Sequence, residues 1–239
     1  MRIRIGSPPG CQRMNTRTDL PRAVLLLSGG MDSATLLALL LSQGYDVHAI
    51  SLDYGQRHAR ELRSAVQLAE HYSVPHRVLD ATFLQGMLAS SLTYADDVPD
   101  GHYAEESMKR TIVPNRNMIL LSIAYGYAVS IGAGFVAFAA HAGDHAIYPD
   151  CRREFIDAFA FAAHAGNAWS LPLAVRAPLL AYSKGEIARL GVQLGVPYVK
   201  TWTCYKGGAK PCGTCGACVE RREAFEFAGV ADPLEESAS

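Results

Sequence analysis

An unbroken apolar run, AVLLL at 23–27, leads directly into SGGMDS at 28–33 and then into ATLLALLLSQG, and that succession narrows the possible folds more than any other feature of the chain. Five apolar residues without alternation describe a strand covered on both faces. The glycine pair permits a tight turn with close backbone approach, and the segment that follows reads as a helix ending near Gly44. The same rhythm then recurs. VHAISLDY (47–54), HRVLD (76–80) and AGFVAFAA (133–140) are expected as strands, and 59–72, 117–130, 154–165 and 184–194 as helices. Strands and helices alternating at this spacing predict an α/β fold, a mostly parallel sheet flanked by helices.

Some stretches depart from the rhythm. Residues 81–116, broken by Pro99, Gly101 and Pro114, are expected as a functional loop or lid. Residues 1–20, with Pro8, Pro9 and Gly10, read as a flexible extension, 21–199 as the α/β domain, 200–228 as a cysteine-rich region and 229–239 as a flexible tail. With 49% hydrophobic residues in 239, the chain can build a sizeable core. Its 22 basic and 23 acidic residues leave a net charge of -1, so there is no overall basic field and no direct nucleic-acid partner is expected. No apolar run approaches the length of a membrane span, and the first twenty residues show no secretory signal. A cytoplasmic protein without a membrane partner is expected.

In an open parallel sheet the ligand crevice lies beyond the C-terminal ends of the strands, which is where SGGMDS falls. Leu27 ends the strand. Ser28, Gly29, Gly30 and Ser33 then offer hydroxyls and backbone to a pyrophosphate at a helix N-terminus. A bare glycine pair is often only a turn, but SGGxDS after an apolar strand is more specific. It matches neither the dinucleotide glycine fingerprint nor the lysine-ended NTPase loop. Without a loop lysine, phosphate charge must be met by backbone, by distant basic groups and by Mg²⁺. Asp32 either holds that ion or caps the helix. Asp53, at the end of the second strand, contacts Mg²⁺ or ribose, or caps a loop. Arg57 touches phosphate or begins a helix. Arg116 enters an apolar helix, where a buried guanidinium needs acceptors; a phosphate, a substrate carboxylate or an internal salt bridge would serve. Asp144, after Gly143 and the fourth strand, is placed to complete a metal site with Asp32. Lys184 starts a helix and contacts phosphate or simply faces solvent.

Four of the six cysteines, Cys204, Cys212, Cys215 and Cys218, crowd into one short stretch at intervals of seven, two and two residues. In a chain without a secretory signal such crowding reads as metal binding before it reads as disulfide. The spacing permits a closed tetrahedral Zn²⁺ site; an iron–sulfur cluster is the competing occupant.

The SGGMDS string resembles the signature loop of the ATP pyrophosphatases, also called adenine nucleotide alpha hydrolases. LDYGQRH at 52–58, VPNRN at 113–117, DHAIYPDCR at 144–152, and TWTCY with CGTCGAC within 201–218 narrow the likeness. Together they resemble the 7-cyano-7-deazaguanine synthase family of the queuosine pathway (the QueC family), in order, over roughly residues 22 to 228. Two departures are Ala34, where the family usually has threonine, and Asn115, where it usually has glycine; asparagine tolerates the left-handed conformation a glycine would supply. The resemblance implies a Rossmann-like sheet with a small C-terminal zinc region, a homodimer, and use of ATP and Mg²⁺ with structural zinc. It implies a carbon–nitrogen ligase that joins a 7-deazaguanine acid and ammonia through an adenylate and an amide to a nitrile. On that reading Asp32, Arg116, Asp144 and Lys184 are catalytic, and Arg116, Tyr148, Asp150 and Arg152 bind substrate, with Asp150 accepting from the guanine-like edge. A sulfur-transferring tRNA-modifying enzyme of the same superfamily and an ammonia ligase for another heterocyclic acid are the alternatives.

Overall fold

The computed structural model describes residues 20–55, 60–85, 87–88, 90, 111–168 and 173–236. Five strands run parallel in the order β3-β2-β1-β4-β5: β1 (Arg22–Leu26), β2 (Asp46–Asp53), β3 (His76–Asp80), β4 (Phe135–Ala137) and β5 (Ala174–Arg176). The helices are α1 (Met31–Ser42), α2 (Arg60–His71), α3 (Arg116–Ser130), α4 (Arg153–Gly166), α5 (Lys184–Gln193), α6 (Gly216–Ala228) and the short α7 (Pro233–Glu236). Alternation along β1 splits the core into two layers. Ala23 and Leu25 pack with α1, α2, α5 and α6 on one face, while Val24 packs with α3 and α4 on the other. Both layers are apolar because both faces of a parallel sheet are covered. The strand order reverses between β1 and β4, which opens a crevice at the C-terminal ends of those two strands.

The expected strand at 133–140 is shorter in the structure. Only Phe135–Ala137 pairs with β1, and the apolar residues beyond leave the ladder to line the crevice. Hydrophobicity there reports burial rather than pairing. The cysteine-rich region is also more ordered than its polar composition suggests, since α6 buries Ala217, Ala224 and Phe225 and packs along α5. Most of the expected loop at 81–116, and residues 1–19, lie outside the described residues.

The stretch expected as a tail, 229–239, begins with a firm anchor. Asp232 accepts from Arg221 Nε at 2.6 Å and Nη2 at 2.8 Å, a two-pronged pair buried between α6 and α7. The same guanidinium donates to Thr201 Oγ1 at 2.8 Å and Thr203 Oγ1 at 3.1 Å. Arg221 thus ties α6 to the segment leading into Cys204. Removing one partner would strand a buried charge, so Asp232→Ala should lower unfolding free energy by about 3–5 kcal/mol. Urea denaturation checks this, and a loss under about 1 kcal/mol would mean that the pair is not holding α6 in place.

Candidate functional site

A cleft of about 230 Å³ opens at the β1/β4 switch point, walled by residues from β1, α1, α3, α5, α6 and the segment after Lys200. The loop Ser28–Gly30 forms one side. Gly29 has φ +92°, and a Cβ there would stand 2.0 Å from the Glu61 carbonyl oxygen, so only glycine fits beneath α2. Ser28 and Ser33 hydroxyls lie 3.0 Å apart, and Gly30 N–H donates to Ser28 Oγ at 3.2 Å. Gly30 caps α1 without a side-chain bond, which leaves the helix N-terminus open to the cleft.

The loop is held from above by the cysteine region. Trp202 N–H donates to the Gly29 carbonyl at 3.0 Å, and the Trp202 indole N–H donates to the Cys204 carbonyl at 3.0 Å. The Arg60 guanidinium lies 4.4 Å above the indole ring.

Opposite the loop, charges converge on Lys184. A capping box, in which Ser183 and Glu186 exchange bonds, fixes Lys184 as the first residue of α5. Its Nζ lies 2.6 Å from Asp32 Oδ2, 3.2 Å from Glu220 Oε2 and 3.2 Å from His141 Nε2. Burial works against the ammonium, but Asp32, Glu220 and Asp144 outweigh it and raise its pKa. Burial likewise pushes Asp32 up, and the Lys184 ammonium foremost among its neighbours more than reverses that, so it stays ionised below its ordinary value of 3.8. His141 Nδ1 accepts from Gly143 N–H at 3.1 Å. The neutral ring therefore carries its proton on Nε2, among Asp144 Oδ2 at 3.6 Å and Asp32 Oδ2 at 4.0 Å. Asp32 Oδ1 is buried without a hydrogen-bond partner, and Asp144 shares the cleft. An orphaned carboxylate oxygen in a cleft that a second carboxylate also lines fits a hard cation with oxygen ligands.

Arg116 forms the third group of the site. Asn115, at φ +56°, turns the chain into α3 and sets Arg116 at its first position. Burial opposes the charge, and Tyr54, Tyr148, Cys151 and Asp150 outweigh it. Its guanidinium bonds the Tyr54 hydroxyl and lies 5.6 Å from the Tyr148 ring. Among the described residues it forms no ion pair within 4 Å, so its charge can still meet an incoming anion. Burial, with Asp144 close by, keeps the neighbouring Cys151 a protonated thiol.

The structure thus brings Leu27, Ser28, Gly30, Asp32, Ser33, Arg116, Asp144 and Lys184 to one cleft. Asp53 sits outside the lining, where its carboxylate accepts from Gly55 N–H at 3.1 Å and caps the turn after β2. Tyr148, Asp150 and Arg152 are also off the lining. Asp150 Oδ2 accepts from Asn117 N–H at 3.0 Å and caps α3, Arg152 Nε donates to the His145 carbonyl at 2.8 Å, and Tyr148 hydroxyl meets Thr111 Oγ1 at 2.7 Å. The Asp150 carboxylate, expected at a guanine-like edge, is engaged through Oδ2 in this cap. Arg57 lies outside the described residues. Sequence reasoning missed His141, Glu220, Tyr54 and Trp202. His141 could have been found from its place three residues before Asp144, but nothing local marks Glu220.

Cys204, Cys212, Cys215 and Cys218 place their sulfurs within 4.8 Å of one another. The Cys212–Cys218 separation is 3.9 Å, near the roughly 3.8 Å edge of a tetrahedron with Zn–S bonds of about 2.3 Å. Backbone N–H groups of Cys212 and Cys215 donate to Cys204 and Cys212 sulfur at 3.3 Å each, which favours thiolates. None of the four is in a disulfide. The set can hold a metal such as zinc.

A family model described as queuosine biosynthesis protein QueC matches residues 22–229. The chain belongs to the QueC family. Among curated relatives, the 7-cyano-7-deazaguanine synthase of Methanoregula boonei is 56% identical over 215 residues, covering 90% of this chain and 98% of that protein. Those of Archaeoglobus fulgidus and Marinobacter nauticus are each 52% identical, over 89% and 88% of this chain and 89% and 95% of theirs. A solved NMN synthetase from Francisella tularensis shares the fold, with TM-score 0.51 at 18% identity over 90% of this chain and 79% of that one. Among the described residues no helix is long and apolar enough to cross a membrane.

The charge pairing gives a signed pH prediction. Asp32 contributes stability above its ordinary value of 3.8, and loses it as pH falls through its lower folded value. Lys184→Met removes the chief lowering influence and leaves burial to raise it. The stability gap between the wild type and Lys184→Met should therefore widen from about pH 3 to pH 6 in urea titrations. A gap constant across that range would mean that the two groups do not interact.

Proposed function

We propose that this chain is a 7-cyano-7-deazaguanine synthase, converting 7-carboxy-7-deazaguanine and ammonia to the nitrile with ATP. The observation that carries this is the shared cleft in which the SGGMDS loop faces both Arg116 and Lys184, in a chain of the QueC family. A carboxylate is a poor electrophile because its leaving group would be oxide. Attack of the acid oxygen on the α-phosphorus of ATP expels pyrophosphate and gives an acyl adenylate. Ammonia displaces AMP and releases a proton, leaving the amide. The amide oxygen attacks the α-phosphorus of a second ATP and expels pyrophosphate, and loss of AMP with both nitrogen-bound protons yields the nitrile. One adenylating site serves both halves.

In this reading the open N-terminus of α1 binds phosphate oxygens, and Lys184 offsets charge developing at the α-phosphorus. Arg116 grips the substrate carboxylate in two-pronged fashion, with Tyr148 backing the guanidinium. The buried Cys151 thiol takes no covalent part. Asp32 and Asp144 would hold Mg²⁺, which when bound neutralises the polyphosphate and orients it. The four cysteines would hold one structural Zn²⁺ with no open position. We read residues 21–199 as the nucleotide-binding domain and 200–228 as its metal-stapled cover. As the resemblance implies, the enzyme would work as a cytoplasmic homodimer without binding nucleic acid directly.

The test is incubation of purified protein with ATP, Mg²⁺, ammonium and the acid, with products identified by mass spectrometry and metal content by elemental analysis. Nitrile with AMP, and one zinc per chain, is expected. Arg116→Gln should lower kcat/KM for the acid by about 10²–10³-fold. Folded, metal-replete protein that leaves both acid and ATP untouched would overturn the assignment.

A further inference from the structure

Lys184 belongs to α5, yet one of the two carboxylates within hydrogen-bonding range of its ammonium comes from the cysteine region. Glu220 lies two residues beyond Cys218, on the helix whose first turns carry Cys215 and Cys218. Its Oε2 is 3.2 Å from Lys184 Nζ, with both side chains only 13% exposed. Gly143 leaves room for this reach, since a Cβ there would stand 3.2 Å from Glu220 Oε1 and 2.9 Å from His141 Cε1. The next residue, Arg221, is locked to Asp232, so the helical register that presents Glu220 is fixed.

The hydrogen-bonding capacities decide what this contact does. Asp32 Oδ2, 2.6 Å away, accepts one ammonium proton. His141 Nε2, 3.2 Å away, carries a proton of its own in the neutral ring, because Nδ1 accepts from Gly143. The imidazole therefore blocks that side without anchoring the lysine. Asp32 alone would leave a flexible four-carbon stem free to swing about a single contact. Glu220 supplies the second point, from a different helix, and two points fix the direction of the ammonium.

We propose that Glu220 is a positioning residue that aims Lys184 at the phosphate site and thereby couples the metal-bearing helix α6 to adenylation. The inference rests on the adenylation reading given above. Its physical core, the Glu220–Lys184 contact, is independent of that reading, and the two are tested separately.

The contact is tested by thermal unfolding of a double-mutant cycle on metal-replete protein. In the wild-type background Glu220→Ala removes a partner of Lys184 and should lower Tm. In the Lys184→Met background Asp32, Glu220 and Asp144 face one another without their cation, so the same substitution relieves repulsion and should raise Tm. Equal shifts in both backgrounds would overturn the contact whether or not the protein makes nitrile. The role is tested by kinetics. Glu220→Ala should retain its zinc and lose about ten- to a hundredfold in kcat, with KM for ATP within about threefold of wild type. Glu220→Gln, whose amide oxygen still accepts from Lys184, should recover most of that loss. Wild-type kcat in Glu220→Ala would overturn the proposal, as would failure of Glu220→Gln to restore it, since charge and not positioning would then be what matters. Absence of turnover in the wild type itself would count against the adenylation reading and leave the Tm result to stand on its own.

Discussion

The Gly29 carbonyl accepts a hydrogen bond from Trp202 N–H at 3.0 Å while its α-carbon lies pressed against the backbone of α2. This one residue is held from two sides, by the helix after β2 and by the segment that ends in Cys204. The loop that follows β1 therefore has its conformation set by parts of the chain far away in sequence. Its open backbone groups are arranged before any nucleotide arrives, which lowers the ordering cost of binding. Glycine is required because the approach leaves no space for a side chain and because φ is positive.

A second thread runs from the same cysteines to the same cleft. Cys218 leads to Glu220, and Glu220 leads to Lys184, so the segment that carries the four sulfurs touches both the loop at 28–33 and the cation opposite it. The charges around Lys184 balance only in part. Its single positive charge faces Asp32, Glu220 and Asp144, and Asp32 keeps one oxygen without a protein partner. Such a surplus of negative charge in a buried cleft favours a bound cation, while the Lys184 ammonium beside Asp32 keeps that carboxylate ionised despite its burial.

Much of the architecture was legible because parallel strands and their helices advertise burial directly. HRVLD matches β3 residue for residue, the helix expected from Lys184 starts there, and the helices expected from 34 and from 117 start three and one residues earlier, at Met31 and Arg116. The 133–140 strand was overdrawn because apolar residues line a cleft as readily as a ladder. α6 escaped notice because its buried face is made of small residues, one phenylalanine and an arginine. Within the site, Asp32, Arg116, Asp144 and Lys184 could be picked out because each stands at the edge of an element near the switch point. Asp150 is close in sequence to that edge but turns toward the open N-terminus of α3, while Arg152 bonds its own loop and the Tyr148 hydroxyl meets Thr111. Glu220 and Trp202 reach the cleft only through the packing of α6 and the folding of the cysteine segment, which are tertiary events.

If the cysteine site holds the loop at 28–33 and Lys184 in place, removing its metal must loosen both. Hydrogen exchange measured on metal-replete and chelator-treated protein, under conditions where the sheet remains folded, tests it most directly. Metal removal is expected to speed exchange at Trp202 and in the peptides covering 28–33 and 184–190, while β1 and β2 stay protected. Unchanged protection of the loop and of the start of α5 in metal-free protein would contradict it.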